Sequence, residues 1–378
     1  MVTVKRIKNI IASRWRWLTK RKTKPDIKPG LPEGLSFDTV DEVAKQTWGE
    51  ALQGTRFSHL SGWKDAGAFR LYLQLNAGRK KSLIFKNAIY GRRDIPALDG
   101  FPLRPGPPEC LIYNKKDSLL NVFIPNVYLN KEIQPGVQYH YLLEDLSNQY
   151  RGVGSFAGRQ AFFKTVDVLP LLYDALNRSC TAEDKKALLQ YNQTFSKLLE
   201  EYSLNSLNRY SQNSSSEQVV KVLDLWHKIA SVHSREGIRE MHPLSLIHGD
   251  CNPANVMIHK KNKSSIKFLD WEWAGVGYPH ADFVSLFPSA GNETVTRIIR
   301  HYQHSTSLLG VDNYLTEKEH YLLFEWCRLE RGINNASYVA AQLLGSKGET
   351  LGRPGWAVSF IDNALNEVLR AYGKLSCV

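Results

Sequence analysis

Leu246-Ile-His-Gly-Asp-Cys-Asn-Pro-Ala-Asn-Val-Met-Ile258, followed by Ile266-Lys-Phe-Leu-Asp-Trp-Glu272, is the most informative stretch of this 378-residue chain. Short apolar runs at Ser245–His248, Val256–His259 and Ile266–Leu269 read as strands, and the polar residues end or follow them. Phosphoryl transfer needs a carboxylate to orient or deprotonate the attacking hydroxyl, and a divalent cation to neutralise phosphate charge. Magnesium is satisfied by a few hard oxygens beside water and phosphate. Asp250 can serve as the base, while Asn255 and Asp270 can supply metal oxygens. Three such side chains at strand ends are hard to explain as core.

The spacing sharpens this reading. Asp250 and Asn255 are five apart, the D-x-x-x-x-N of a protein kinase catalytic loop, and Asp270 follows fifteen residues later across a predicted two-strand hairpin. His248-Gly-Asp-x-x-x-x-Asn255 with Leu269-Asp-Trp-Glu272 resembles the aminoglycoside phosphotransferase and choline kinase superfamily. Gly277-Tyr-Pro-His-Ala-Asp282 resembles the segment that closes this region in many members, with Asp282 as a structural anchor. The resemblance implies an α+β, bilobal protein kinase-like fold. A small antiparallel N-terminal lobe would precede a mainly helical C-terminal lobe. It further implies ATP, Mg²⁺ and a small hydroxyl-bearing acceptor of the aminoglycoside, choline or sugar kind. His248 would brace the loop rather than move a proton.

The same resemblance supplies the other nucleotide residues. Lys86, ending the apolar run Leu83-Ile-Phe85, would hold phosphate oxygens. Glu109, in Glu109-Cys-Leu-Ile-Tyr113, would orient Lys86. Tyr141-Leu-Leu-Glu-Asp-Leu146 resembles the hinge, where the backbone around Glu144 and Leu146 would read the adenine edge. Ser61-Gly-Trp-Lys-Asp-Ala-Gly-Ala68 sits where a phosphate-covering loop belongs, but it is neither G-x-G-x-x-G nor a Walker loop.

Outward from these anchors, residues 1–35 read as a basic tail and linker, 36–146 as the nucleotide-binding lobe, and 147–378 as the lobe of the catalytic loop and acceptor. Phe69–Leu75 alternates as a strand and pairs in a hairpin with Ser82–Lys86 across an Ala77-Gly78 turn; Val127–Leu129 and Tyr139–Leu143 are further strands. Pro107-Pro108 opens a helix through Tyr113. Helical spacing marks 159–177, 181–203 with Thr181 as N-cap, 217–233, and much of 281–372. Trp271, Trp273 and Tyr278 suit either a stacked or caged acceptor or core packing, with packing favoured. Glu272 is placed to attract a cationic acceptor. Glu325, Glu330 and Glu349 are candidates to line an acceptor pocket.

Composition excludes several classes. The net charge is +12, yet residues 1–24 carry nine Lys or Arg and no acid, leaving 40 basic against 37 acidic residues elsewhere. Nucleic acid is therefore not the expected partner, because a binding groove carries its charge on the folded body. Val4, Ile7, Ile11, Trp15 and Leu18 give the tail an amphipathic pattern able to lie on an anionic membrane or dock onto a partner, with a solvated arm the favoured reading. Five scattered cysteines with no C-x-x-C pair, no secretory signal and no long apolar span argue for a cytoplasmic protein. A pseudokinase that binds nucleotide or a partner without catalysis is the alternative. The atypical glycine loop is the feature that favours it.

Overall fold

A computed structural model of the protein describes residues 26–62, 67–90, 107–156, 158–191, 202–212, 216–233, 244–311, 315–343 and 355–377. The amphipathic tail 1–24, the centre of the 61–68 loop and Glu349 lie outside the described residues. The fold is α+β, with an antiparallel sheet towards the N-terminus and a helical remainder. The chain divides into two compact units. One holds residues up to Ile89 together with Asn126–Asp145; the other holds Tyr90–Pro125 and Leu146 onwards.

The first unit is a six-stranded antiparallel sheet in the order β1-β2-β3-β4-β6-β5. Its strands are β1 (Lys28–Pro29), β2 (Leu52–Gly62), β3 (Gly67–Leu75), β4 (Lys80–Ile89), β5 (Val127–Gln134) and β6 (Gln138–Glu144). Alternation turns Leu71, Leu73 and Leu75 of β3 and Leu83 and Phe85 of β4 onto one face. The helix Phe37–Trp48 covers that face with Val40, Val43 and Ala44, closing a common core. Ser36 caps its first turn by accepting from Thr39 N, and Gly49 ends it in the left-handed region at φ 72°. The β3–β4 hairpin turns through Gly78 at φ 77°, as the Ala77-Gly78 signal predicts. The tail-and-linker reading of 1–35 needs one amendment, since Lys28 and Pro29 pair with Phe57 and Arg56 as an edge strand.

The second unit carries two small three-stranded sheets among helices. In one, β10 (Val256–His259) lies between β7 (Tyr150–Gly152) and β11 (Ile266–Phe268), all antiparallel. In the other, β12 (Gly275–Gly277) lies between β9 (Ser245–Ile247), antiparallel, and β8 (Leu189–Gln190), parallel. The short helix Pro108–Tyr113 opens on proline as read from sequence and belongs to this unit. Thr181 caps the helix Ala182–Ala187 in a full capping box with Asp184. That helix does not run to 203: the chain turns extended at Leu188 and becomes β8. Gly275 draws it in, because a Cβ there would lie 2.5 Å from the Leu189 carbonyl oxygen. The segment 217–233 is likewise two helices, Glu217–Asp224 and Trp226–His233. Among the described residues, no helix is long and apolar enough to cross a membrane.

Candidate active site

Strand β9 ends at Ile247, β10 starts at Val256, and the eight residues between them form a loop fixed from beneath by Asp282. This carboxylate is wholly buried. Its Oδ2 accepts from His248 N at 3.0 Å and from the Tyr173 hydroxyl at 3.2 Å, while Oδ1 accepts from Gly249 N at 2.9 Å. Burial pushes the Asp282 carboxyl above its usual pKa, and these hydrogen bonds oppose that rise. Replacing Asp282 with Ala strands two buried backbone donors and a hydroxyl. At about 1–3 kcal/mol per stranded donor, the expected loss is roughly 3 kcal/mol or more. Thermal melting would register it; an unchanged midpoint would contradict the anchoring role.

His248 is fully buried and acts as a brace. Its Nδ1 receives Asp250 N at 3.3 Å and its Nε2 faces the Leu269 carbonyl at 2.9 Å. An acceptor at Nδ1 and a carbonyl at Nε2 assign the neutral imidazole with its proton on Nε2. The ring thus ties the loop to the residue before Asp270, and Trp271 packs on it at 4.5 Å.

Within the loop, Asn252 N returns to the Asp250 carbonyl at 2.7 Å and Asn255 N to the Asn252 carbonyl at 2.9 Å. This tight turn brings the Asn255 side chain back to Asp250. Asn255 Nδ2 donates to Asp250 Oδ2 and to the Asp250 carbonyl, both at 3.0 Å, and Asn252 Nδ2 donates to the same Oδ2 at 2.8 Å. With its amide nitrogen so engaged, Asn255 presents its oxygen as the group left for a cation. The β10–β11 hairpin then returns Leu269 N to the Asn255 carbonyl at 2.8 Å. Asp270 follows at φ 65°, the one non-glycine residue with positive φ among the described residues. Such a conformation costs free energy and concentrates at functional sites. One loop therefore brings Asn255 to Asp250, and one hairpin returns the residue before Asp270 to Asn255. An amide oxygen and a carboxylate suit magnesium that also binds phosphate. Among the described residues, no group of three or more His, Cys, Asp or Glu forms an all-protein metal cage.

The remaining candidates lie on other elements. Lys86 on β4 is half-buried opposite Tyr141 of β6, and Leu83 of β4 pairs with Glu144. Glu144 ends β6 and accepts from Asn126 N at 3.2 Å; buried Leu146 begins a short 3-10 turn in the second unit. Glu109 is wholly buried in the second unit and accepts from the Tyr90 hydroxyl at 3.1 Å.

Two acceptor-side readings are settled against exposure. Trp271 is fully buried and donates to the Phe268 carbonyl, and Tyr278 packs edge-on to Trp326, so both belong to the core. Glu325 is fully buried between Arg328 and Lys374, at 2.8 and 2.7 Å, so it lines no pocket. Glu272 and Trp273 remain partly exposed.

One residue at the site carries no sequence signal. Arg331, on the helix Glu317–Leu343, forms an ion pair with Asp250 Oδ1 and donates to the Gly249 carbonyl at 2.7 Å. It lies 81 positions from Asp250, and an isolated arginine in a helix offers no motif to find it by.

Residues 188–319 match the phosphotransferase enzyme family, a span that includes Asp250, Asn255, Asp270 and Asp282. No curated protein matches the chain in sequence. Among solved structures, an aminoglycoside 2'-phosphotransferase-IIIa in its GDP complex is similar at a TM-score of 0.56 and 11% identity, covering 90% of this chain and 99% of that one. Choline kinase from Cryptosporidium parvum Iowa II is similar at 0.56 and 12%, covering 90% and 97%. Spectinomycin phosphotransferase, in complex with ADP and spectinomycin, is similar at 0.51 and 14%, covering 90% and 99%. The similarity is thus to the phosphotransferase enzyme family over residues 188–319, and to the kinase-like fold of these enzymes over 90% of the chain.

Proposed function

We propose that this protein is an ATP- and magnesium-dependent phosphotransferase that moves the terminal phosphoryl group to a hydroxyl of a small molecule of the aminoglycoside, choline or sugar type. The observation that carries the reading is the turn in which Asn255 binds the Asp250 carboxylate while the next strand pair delivers Asp270. In this scheme Asp250 orients the acceptor hydroxyl and takes its proton as the oxygen attacks the γ-phosphorus and ADP leaves. Asn255 and Asp270 would hold magnesium, which would supply charge to neutralise the phosphates. Lys86 contacts phosphate oxygens, Glu109 orients Lys86, and the backbone at Glu144 and Leu146 reads the base. The nucleotide-binding part is 36–146 and the catalytic and acceptor part is 147–378. Solved relatives hold GDP or ADP, which supports a nucleotide donor without choosing the base.

The test is nucleotide consumption by the purified chain with Mg²⁺ and either ATP or GTP, across aminoglycosides, choline, ethanolamine and sugars. Turnover stimulated by one acceptor and abolished by chelating magnesium is the expected result. Nucleotide binding with no turnover against any acceptor would favour the pseudokinase alternative. Absence of binding would overturn the reading altogether.

A further inference from the structure

The Asp250 carboxylate is held by donors from two directions. Asn252 and Asn255 both donate to Oδ2, from within the loop. Arg331 donates to Oδ1 from the helix Glu317–Leu343, which begins just before the family match ends and places Arg331 beyond it. An ionised carboxylate offers about four lone-pair sites, two on each oxygen. Both sites on Oδ2 are taken and one on Oδ1 is taken, so a single site on Oδ1, beside the guanidinium, remains for an incoming hydroxyl. The second bond, from Arg331 to the Gly249 carbonyl, ties the same guanidinium to the backbone just before the base. Two parallel donations from one planar group fix direction as well as distance.

The helix that brings Arg331 is itself immobilised. At the next residue, Gly332, a Cβ would lie 2.7 Å from Val368 Cγ2 and 2.9 Å from the Ala364 carbonyl oxygen, so the helix Gly355–Leu375 packs against bare backbone there. One turn earlier Arg328 donates to the Ala290 carbonyl at 2.8 Å and pairs with Glu325, which also binds Lys374 of the last helix. These contacts set the rotation of the 317–343 helix and hence the aim of Arg331.

We infer that Arg331 is a positioning residue for phosphoryl transfer. It holds the Asp250 carboxylate so that Oδ1 faces the acceptor hydroxyl, and it makes the C-terminal helices part of the catalytic apparatus. The inference rests on the phosphotransfer reading above. The experiment compares wild type, Arg331→Ala, Arg331→Lys, Asp250→Asn and the Arg331→Ala/Asp250→Asn double variant. Steady-state turnover of MgATP is measured with the best acceptor and with water alone, with and without guanidinium chloride far below denaturing levels. Arg331→Ala is expected to lower kcat about 10–100-fold, the usual effect of losing an orienting partner, with KM for MgATP unchanged. Guanidinium should restore part of that loss, because the Arg331 side chain is 23% exposed and its place is open to a small cation. Lysine should fall between, since a point charge cannot make both bonds. The double variant should be no slower than Asp250→Asn alone, as expected of residues that act as a unit.

A wild-type kcat in Arg331→Ala overturns the inference, as does a loss that neither lysine nor guanidinium relieves. If the alanine variant melts below assay temperature, Arg331→Lys decides, and wild-type kcat there overturns it equally. A wild type that never consumes nucleotide removes the phosphotransfer reading itself. An active wild type indifferent to Arg331 removes this inference alone.

Discussion

An Asp250→Asn chain is expected to bind MgATP as wild type does and to transfer its phosphoryl group about 10²–10⁴-fold more slowly, the range typical of a lost general base. The change is less conservative here than its shape suggests. Oδ2 accepts two amide N–H groups and Oδ1 accepts a guanidinium, so every neighbour of the carboxylate is a donor. Asparagine can keep only one oxygen in place. Its NH₂ must then face either Arg331 or the paired amides of Asn252 and Asn255, and a donor set against a donor costs about 1–3 kcal/mol when water is excluded. The side chain is 21% exposed, which places the cost towards the lower end. Isothermal titration with MgADP, melting and single-turnover transfer together separate the effects. Retained nucleotide affinity with a slightly lowered midpoint and a collapsed transfer rate is the expected combination. A variant that transfers at wild-type rate would remove Asp250 from the chemistry.

Much of this site was legible in sequence because its parts are neighbours along the chain. His248, Asp250, Asn255 and Asp270 occupy a single loop and hairpin, where the five-residue spacing becomes a hydrogen bond and the hairpin returns Leu269, beside Asp270, to the Asn255 carbonyl. The fold class followed from strands gathered before residue 146 and helical spacing after it. What escaped depends on partners remote in the chain. The apolar spacing of 181–203 is genuinely helical, yet Leu189-Gln190 gains more as a strand beside Gly275, which has no side chain to keep it away. Arg331 has no periodicity or motif of its own; the packing of its helix, at Gly332 against Ala364 and Val368 and at Arg328 against Ala290, aims it at Asp250. The helix Phe37–Trp48 differs, since Ser36 and the spacing of Val40, Val43 and Ala44 mark it openly and the sequence reading still left it undrawn. For Trp271, sequence could not separate a site role from core packing, because aromatic residues serve both; Glu325, an acidic residue on a helix, gave no sign of the buried pairing with Arg328 and Lys374.

Gly249→Ala is expected to combine a loss of stability with near-complete loss of transfer, and the two losses share one cause. Gly249 sits at φ 77°, where an L-residue costs about 1–2 kcal/mol. Its position adds a steric term. A Cβ there would press into the Trp273 carbonyl and the Tyr191 hydroxyl, which are bound to each other at 2.6 Å. One is backbone; the other is the hydroxyl of a half-buried tyrosine, whose pKa desolvation raises, so it stays a neutral donor. Neither is the loose end of a flexible side chain, so the loop must move instead, at about 1–3 kcal/mol for overpacking. Movement there carries the Gly249 amide off Asp282 and its carbonyl off Arg331, two attachments that set the backbone just before Asp250. Gly310→Ala is the matched control, at φ 68° in the same unit with nothing within 4 Å of a new Cβ. It bears the conformational term without the steric one, so it should melt slightly early and keep full kcat. If the two variants melt together and both transfer at wild-type rate, the Trp273–Tyr191 wall does not hold the catalytic loop, and the glycine of His248-Gly-Asp250 serves backbone conformation alone.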